Sequence, residues 1–306
     1  MPFTTYVSHP EWEWLIMLAL FAAGIAAGTY SVMGLMHWAG DPADRPVIDR
    51  MGLVPMVFML VTPILLIVDL GQPGRFLNLL FTSPAATERP GPIMFNPNSP
   101  MSWGSWALIA FAPFTLVTFL DSLERVRGAR MPAFVGAVAR NPIVLAAGEI
   151  LALVVSAYSG VLVNVTNQGV WSDTYLMGAL FIVFSELSGM AVAAIIAGRL
   201  HAASTAGAVR TGFFGFAAVG AVLLALFLGN LAALGSARAV VASLLVGPAF
   251  WIGAVGAALV FPLVATGRRS LWPGADRLVI LGAVVLVGVL AFRYAMFYSA
   301  IAYLEP

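Results

Sequence analysis

The chain has 306 residues, of which 61% are hydrophobic and 9% charged, with a net charge of +1 and a mean hydropathy of +0.95. So apolar a composition excludes a water-soluble domain and implies an integral membrane protein. Cysteine is absent, which excludes disulfides and thiolate-bound iron–sulfur clusters in this polypeptide.

A membrane-crossing helix needs about 20 mostly apolar residues, and eight runs satisfy this, at 12–38, 50–70, 102–121, 142–164, 174–199, 211–231, 240–266 and 277–304. They are continuous and rich in Leu, Ala, Val and Gly, without the alternation of a barrel strand, so the expected fold is all-α and polytopic. The first run is too long, and too poor in basic residues at its start, for a cleaved signal peptide. Its Gly24 and Gly28 form a GxxxG, which suits close helix packing or leaves room for a flat ligand ring. His9 precedes this span and His37 lies at its far end, while His201 falls in a loop. No two histidines face each other inside a bundle, as a membrane b-type haem requires.

The second span contains Met56, and Pro55 and Pro63 are expected to kink it. It ends in VDLGQPGRF (Val68–Phe76), which places Asp69 at the edge of the hydrocarbon. Asp69 is either a proton-exchanging group or a cap for the amides of Gly71 or Gly74. The loop 71–101 carries six prolines and is too long for a simple connector. It reads as a docking surface for an extramembrane subunit or as an unstructured link.

Trp103 and Trp106 open the third span, as interfacial anchors or as walls of a ligand site. The fourth contains Glu149, Tyr158 and Asn164, and the fifth Glu186 with Gly178, Gly189 and Gly198. Glu149 and Glu186 are either part of a proton route or acids hydrogen-bonded within the bundle. Arg293, inside the eighth span, predicts a neighbouring acid, either Asp69 or Glu186, unless it only ties helices together. Counted at ~1.5 Å per residue, Asp69, Tyr158 and Arg293 are expected to share one level.

All 15 basic residues are Arg. Eleven belong to alternate loops and helix ends (Arg45, Arg50, Arg125, Arg127, Arg130, Arg140, Arg199, Arg210, Arg268, Arg269 and Arg277), against Arg75, Arg89 and Arg238 on the other side. By the positive-inside rule the first group is cytoplasmic and both termini face outward. No phosphate loop, dinucleotide fingerprint, zinc motif or catalytic triad is found in a supporting context.

The string DLGQPGRF (Asp69–Phe76), followed by SPMSWGSW (Ser99–Trp106), resembles the NrfD-like family of polysulphide reductase-type membrane subunits. GIAAG (Gly24–Gly28) and YSGVL (Tyr158–Leu162) match further elements of that family, as does the count of eight spans. The resemblance implies an anchor of two four-helix bundles, here 1–164 and 165–306, in a bacterial cytoplasmic membrane. It also implies a quinone, menaquinone or ubiquinone, as the cofactor, and no haem or cluster in this chain. The implied partners are a four-cluster ferredoxin-like iron–sulfur subunit on the outer face and a molybdenum or tungsten bis-pterin enzyme, with no nucleic acid.

Carried over by motif, the family's helix-2 Asp is Asp69 and its helix-4 Tyr is Tyr158; on this reading Asp69 would exchange protons with the quinone and Tyr158 would donate a hydrogen bond, and Arg293, which no family motif assigns, would hold the acid or balance negative charge. Gly24, Gly28, Met56, Gly71, Trp103, Trp106 and Asn164 would line the site, with Glu186 and Glu149 on a proton path. The sequence departs from the pattern at LIMLAL (Leu15–Leu20), where one branch of the family has polar residues, and at Gln72, where many relatives carry Arg. Any role of those polar groups would fall to His9, Glu13 or Asn164. Two further readings are a quinol-binding, proton-translocating subunit of a larger respiratory complex of the alternative complex III type, and a secondary transporter. Transporters are often built on inverted repeats around the bilayer midplane, and no convincing repeat is present.

Overall fold

The computed structural model describes residues 14–80, 95–165, 171–172, 174–233, 247–267 and 275–301. Among the described residues there is no strand, and eight helical segments are long and apolar enough to cross a membrane. They are Trp14–Ala39 (α1), Pro42–Asp69, Pro100–Arg127 (α4), Pro142–Asn164 (α6), Met177–Arg199 (α7), Ala206–Ala233 (α8), Ala249–Gly267 and Arg277–Tyr298 within α10, Ala275–Ile301.

Local sequence signals set several boundaries. The Ser99 hydroxyl accepts from the Ser102 amide (3.5 Å), with Pro100 in the first turn of α4. Asn141 accepts from the Ile143 and Val144 amides (2.9 and 3.4 Å), with Pro142 opening α6. In each case a side chain satisfies amides that have no intrahelical partner, and proline occupies a position that needs no donor. Gly128 ends α4 in the left-handed region (φ 69°), where its amide donates to the Glu124 carbonyl.

The second span begins earlier than hydropathy indicates. A short 3₁₀ turn, Pro42–Asp44, is closed by a capping box between Asp41 and Asp44. It leads into α2 (Arg45–Met51), and after a break at Gly52–Leu53 the chain continues as α3 (Val54–Asp69). Pro55 therefore lies in the first turn of α3, where it interrupts no hydrogen bond, and only Pro63 is interior. The third span runs past the expected boundary at residue 121 because Asp121 and Arg125, which end the apolar run, pair within the helix at 2.9 Å. A short helix α5 (Ala133–Ala139) follows. The seventh span is π-helical over Ala249–Val260 and α-helical over Phe261–Gly267 (α9).

Helices α1, α3, α4 and α6 make one ring of contacts. Helix α7, α8, the π-helical segment with α9, and α10 make another, and α1 and α6 pack against α7 between the two rings. The α1–α7 seam is the tightest: a Cβ at Gly28 would overlap the Ser185 carbonyl, and one at Gly189 would overlap the Gly28 carbonyl. Small residues permit such backbone approach, so van der Waals packing holds helices that lipid would solvate equally well. Among the described residues, Arg45, Arg50, Arg125, Arg127, Arg140 and Arg199 gather at one end, where α1, α4 and α7 finish and α6 begins.

Candidate functional site

The turn after α3 is built on backbone geometry. The Leu70 amide donates to the Ile67 carbonyl (3.3 Å), and Gly71 then takes φ +65° with nothing within 4 Å of where a Cβ would stand. Conformation, and not crowding, selects glycine here. Pro73–Leu79 continues as a 3₁₀ turn. Asp69 is half-buried and makes an interaction within the chain. Its helix also forms one wall of an apolar groove of about 180 Å³ between α3 and α4, lined by Pro63, Leu66, Ile67, Leu70, Phe76, Ser105 and Leu108.

Tyr158 lies at the same end of the molecule. A Cβ at Gly104 would overlap its ring, so the glycine of SPMSWGSW seats the tyrosine of YSGVL between α4 and α6. Trp103 is 52% exposed, stacks edge-on with Phe95 (4.8 Å) and donates its indole N–H to the Pro97 carbonyl (2.9 Å). It fastens the end of the long loop to α4, while Trp106 is half-buried. Met56 accepts from Thr115 (3.5 Å) about 20 Å along α3 from Asp69, well away from the turn. Asn164 donates to the Trp171 carbonyl (2.7 Å) and to the Thr174 carbonyl, which ties the end of α6 to the segment before α7. His9, Glu13 and positions 81–94 of the long loop lie outside the described residues.

Arg293 corrects an expectation. It is fully buried, Nη2 donates to the Ser185 hydroxyl (3.3 Å), and the guanidinium lies 4.6 Å from the centre of the Phe181 ring. Among the described residues Nε and Nη1 have no partner, and no carboxylate is paired with this cation. Nor does it share a level with Asp69. Thr62 bonds the Ala19 carbonyl (3.5 Å), and Asp69 stands about 10 Å outward of that contact along α3. Arg293 meets α1 at Gly24, about 7 Å inward of the same contact. The two are therefore about 18 Å apart along the helices. Counting from nominal span starts placed Asp69 and Arg293 together because α1, α3 and α10 begin at different depths. Gly24, expected to leave room for a ring, leaves room for the guanidinium.

The two buried glutamates are close neighbours. Glu149 and Glu186 interact electrostatically, and Ser31 of α1 engages both. A Cβ at Gly34 would overlap the Glu149 carboxyl, and one at Gly148 would overlap the Tyr30 hydroxyl. Both Glu186 oxygens and Oε1 of Glu149 lack a well-formed hydrogen bond. Tyr30, almost fully buried, packs edge-on against Phe111 (5.2 Å) and lies beside Thr118. A polar core thus runs from Thr118 through Tyr30, Glu149, Ser31 and Glu186, and Ser185 links it to Arg293.

Tyr30, Ser31, Ser185 and Trp171 were not singled out from sequence. Ser185 adjoins Glu186, and Tyr30-Ser31 follows GIAAGT, so polar doublets inside apolar spans are the signal that would have found three of them. Among the described residues no cluster of His, Cys, Asp and Glu could hold a metal ion.

The sequence profile of a family described as "Polysulphide reductase, NrfD" matches residues 5–305. The C subunit of the polysulfide reductase of Wolinella succinogenes is 25% identical over 309 residues, which cover 94% of this protein and 93% of that one. The profile takes in all eight spans, the turn at Asp69 and the polar core alike, and the chain belongs to the NrfD family.

Proposed function

We propose that this chain is the quinone-interacting membrane anchor of a respiratory oxidoreductase, exchanging electrons and protons between the quinone pool and an iron–sulfur subunit. That partner, a four-cluster ferredoxin-like protein, would dock on the face carrying the turn at Asp69 and connect to a molybdenum or tungsten bis-pterin enzyme. The Arg-rich end is assigned to the cytoplasm, in a bacterial cytoplasmic membrane with both termini outside. The observation that supports the reading is an apolar groove between α3 and α4 at the end of the first ring of helices where α3 ends in Asp69 and where Gly104 of α4 seats Tyr158, although neither side chain lines the groove itself. The division into bundles 1–164 and 165–306 is part of this proposal, and the contacts within each set of four helices support it.

The residues present fit such a cofactor. A groove of about 180 Å³, apolar but for Ser105 and opening between α3 and α4, suits a ring on an isoprenoid tail. A bound quinone supplies two-electron, two-proton chemistry, which a chain without Cys or a metal cluster among its described residues does not offer itself. Asp69 would hold or release a proton at its carboxyl, at the end of α3. Tyr158 would donate from its hydroxyl and orient the head group. Trp103, anchored to Pro97, would hold the docking face in place. Arg293 lies too deep to hold Asp69, and we assign it with Glu186 and Glu149 to the proton path.

The test is quinol-driven reduction of the partner's clusters in the intact complex. Loss of a general acid–base group costs on the order of 10²- to 10⁴-fold, so Asp69→Asn is expected to slow this step at least about 100-fold. Loss of one neutral hydrogen bond is worth about 1 kcal/mol, so Tyr158→Phe is expected to slow it roughly five- to tenfold. Unchanged rates in both variants would reject the site.

A further inference from the structure

We infer that a cleft between α1 and α8, at the Arg-rich end, holds one phospholipid with an ethanolamine head group. Its acyl chain lies along the apolar wall of the cleft, its ammonium on Asp44 and its phosphate on Arg210. The inference goes beyond the quinone reading and does not depend on it.

The cleft is a hollow of about 500 Å³, the size of a small-molecule site. Val32, Leu35 and Met36 of α1 form one wall, and Ala208, Gly212 and Phe216 of α8 the other. Spacings of three and four residues put one apolar stripe of each helix on the cleft. The stripe on α1 continues to Ala39, the last residue of that helix and about 10 Å beyond Val32, so the cleft opens at the level of the head groups. Leu35 is 43% exposed, so protein does not cover this wall, and at membrane depth lipid does.

Charge selects the head group. The charged residues lining the cleft are Asp41 and Asp44, although the end of the molecule around them is rich in arginine. Asp44 is 2% exposed; its Oδ2 accepts from the Asp41 amide (3.1 Å), and its Oδ1 has no hydrogen-bond partner among the described residues. A buried carboxylate with an unused acceptor oxygen calls for a cationic donor. A second hollow, of about 430 Å³, shares Gly207 and Thr211 with the first and is lined by Arg210 and by Thr266 of α9. Nothing lies within 4 Å of where a Gly207 Cβ would stand, so the ridge between the two hollows is bare backbone there. Arg210 donates Nε–H to the Thr266 carbonyl (2.8 Å) and enters no ion pair among the described residues, which leaves its Nη donors for a phosphate. A head group with an ammonium and a phosphate joined by a short link matches both sides of this ridge. A glycerol head offers no cation to Asp44, and a choline head offers a cation without an N–H to donate.

The experiment takes the protein purified from its native membrane, strips loosely held lipid in mild detergent, and titrates it with dioleoyl phosphatidylethanolamine, phosphatidylcholine or phosphatidylglycerol. Native mass spectrometry counts the bound lipids. The tightest site is expected to prefer the ethanolamine lipid at least about tenfold, the value of one hydrogen bond to a charged group. Asp44→Asn keeps a side-chain oxygen for the Asp41 amide and removes the charge, and it is expected to erase the preference while lipid still binds. Arg210→Gln is expected to weaken all three lipids, which share the phosphate. Gly207→Leu puts a side chain into open space, so it is expected to leave thermal unfolding unchanged and abolish the tight site. Equal affinity for the three lipids in the unmodified protein overturns the inference, as does an ethanolamine preference that survives both Asp44→Asn and Gly207→Leu. A quinone retained in the unmodified protein and lost in Gly207→Leu would also overturn it, by giving the cleft a different occupant.

Discussion

Arg293 is a cation fully enclosed by protein, with two donor nitrogens unpartnered and an aromatic ring in place of a carboxylate. The cation–π contact with Phe181 is worth about 0.5–2 kcal/mol, while a central Arg costs about 2.5–3.5 kcal/mol in membrane insertion. Retention of such a group therefore points to function. Arg293→Met, of similar length and unbranched, is expected to leave the complex as stable as before or about 1–3 kcal/mol more stable, because no ion pair is broken. Thermal unfolding of the complex checks this, and a marked loss of stability would make Arg293 a structural tie. The charge of Arg293 was legible in the sequence and its surroundings were not. Helices that are apolar all round carry no periodic signal for which face a residue presents. Asp69 and Tyr158 were easier to read, because one ends a span in a glycine turn and the other has a glycine opposite it.

Among the helices, α1 and α7 depend on their glycines. Gly28→Leu would drive a branched side chain into the Ser185 carbonyl and force the two helices apart. Overpacking of this kind costs typically 1–3 kcal/mol, so a lower midpoint of thermal unfolding is expected, with much of the effect already present in Gly28→Ala. A second tie fastens the two rings. Trp171, fully buried, donates its indole N–H to the Met296 carbonyl (2.7 Å) and stacks edge-on with Phe297, while Asn164 holds the Trp171 and Thr174 carbonyls. Trp171→Phe leaves a buried carbonyl without its donor, a loss of about 1–3 kcal/mol, and Asn164→Ala is expected to destabilise comparably without changing quinol affinity. A selective loss of quinol binding in Asn164→Ala would restore this residue to the site. The starts of α4 and α6 were readable from Ser-Pro and Asn-Pro. The end of α4 was not, because hydropathy stops at Asp121 while ion pairing and the Gly128 cap carry the helix on.

At the scale of the whole molecule, the features divide between the two ends of the bundle. Asp69, Tyr158 and the apolar groove lie at one end, the arginines at the other, and the buried acids between them. Eight spans and a lopsided arginine distribution were legible from composition alone, since both follow from solvation by lipid and from charge. The polar core was not, because its members are scattered over α1, α4, α6, α7 and α10 and meet only through tertiary packing. The most direct test of the central claim is to isolate the protein from its native membrane in mild detergent, assay iron, molybdenum and tungsten, and follow cluster reduction by added quinol. Co-purification of an iron–sulfur subunit and a pterin enzyme, with quinol-driven cluster reduction that Asp69→Asn slows at least about 100-fold, is the expected result. A protein recovered alone, metal-free and unable to bind a quinone analogue, would contradict it.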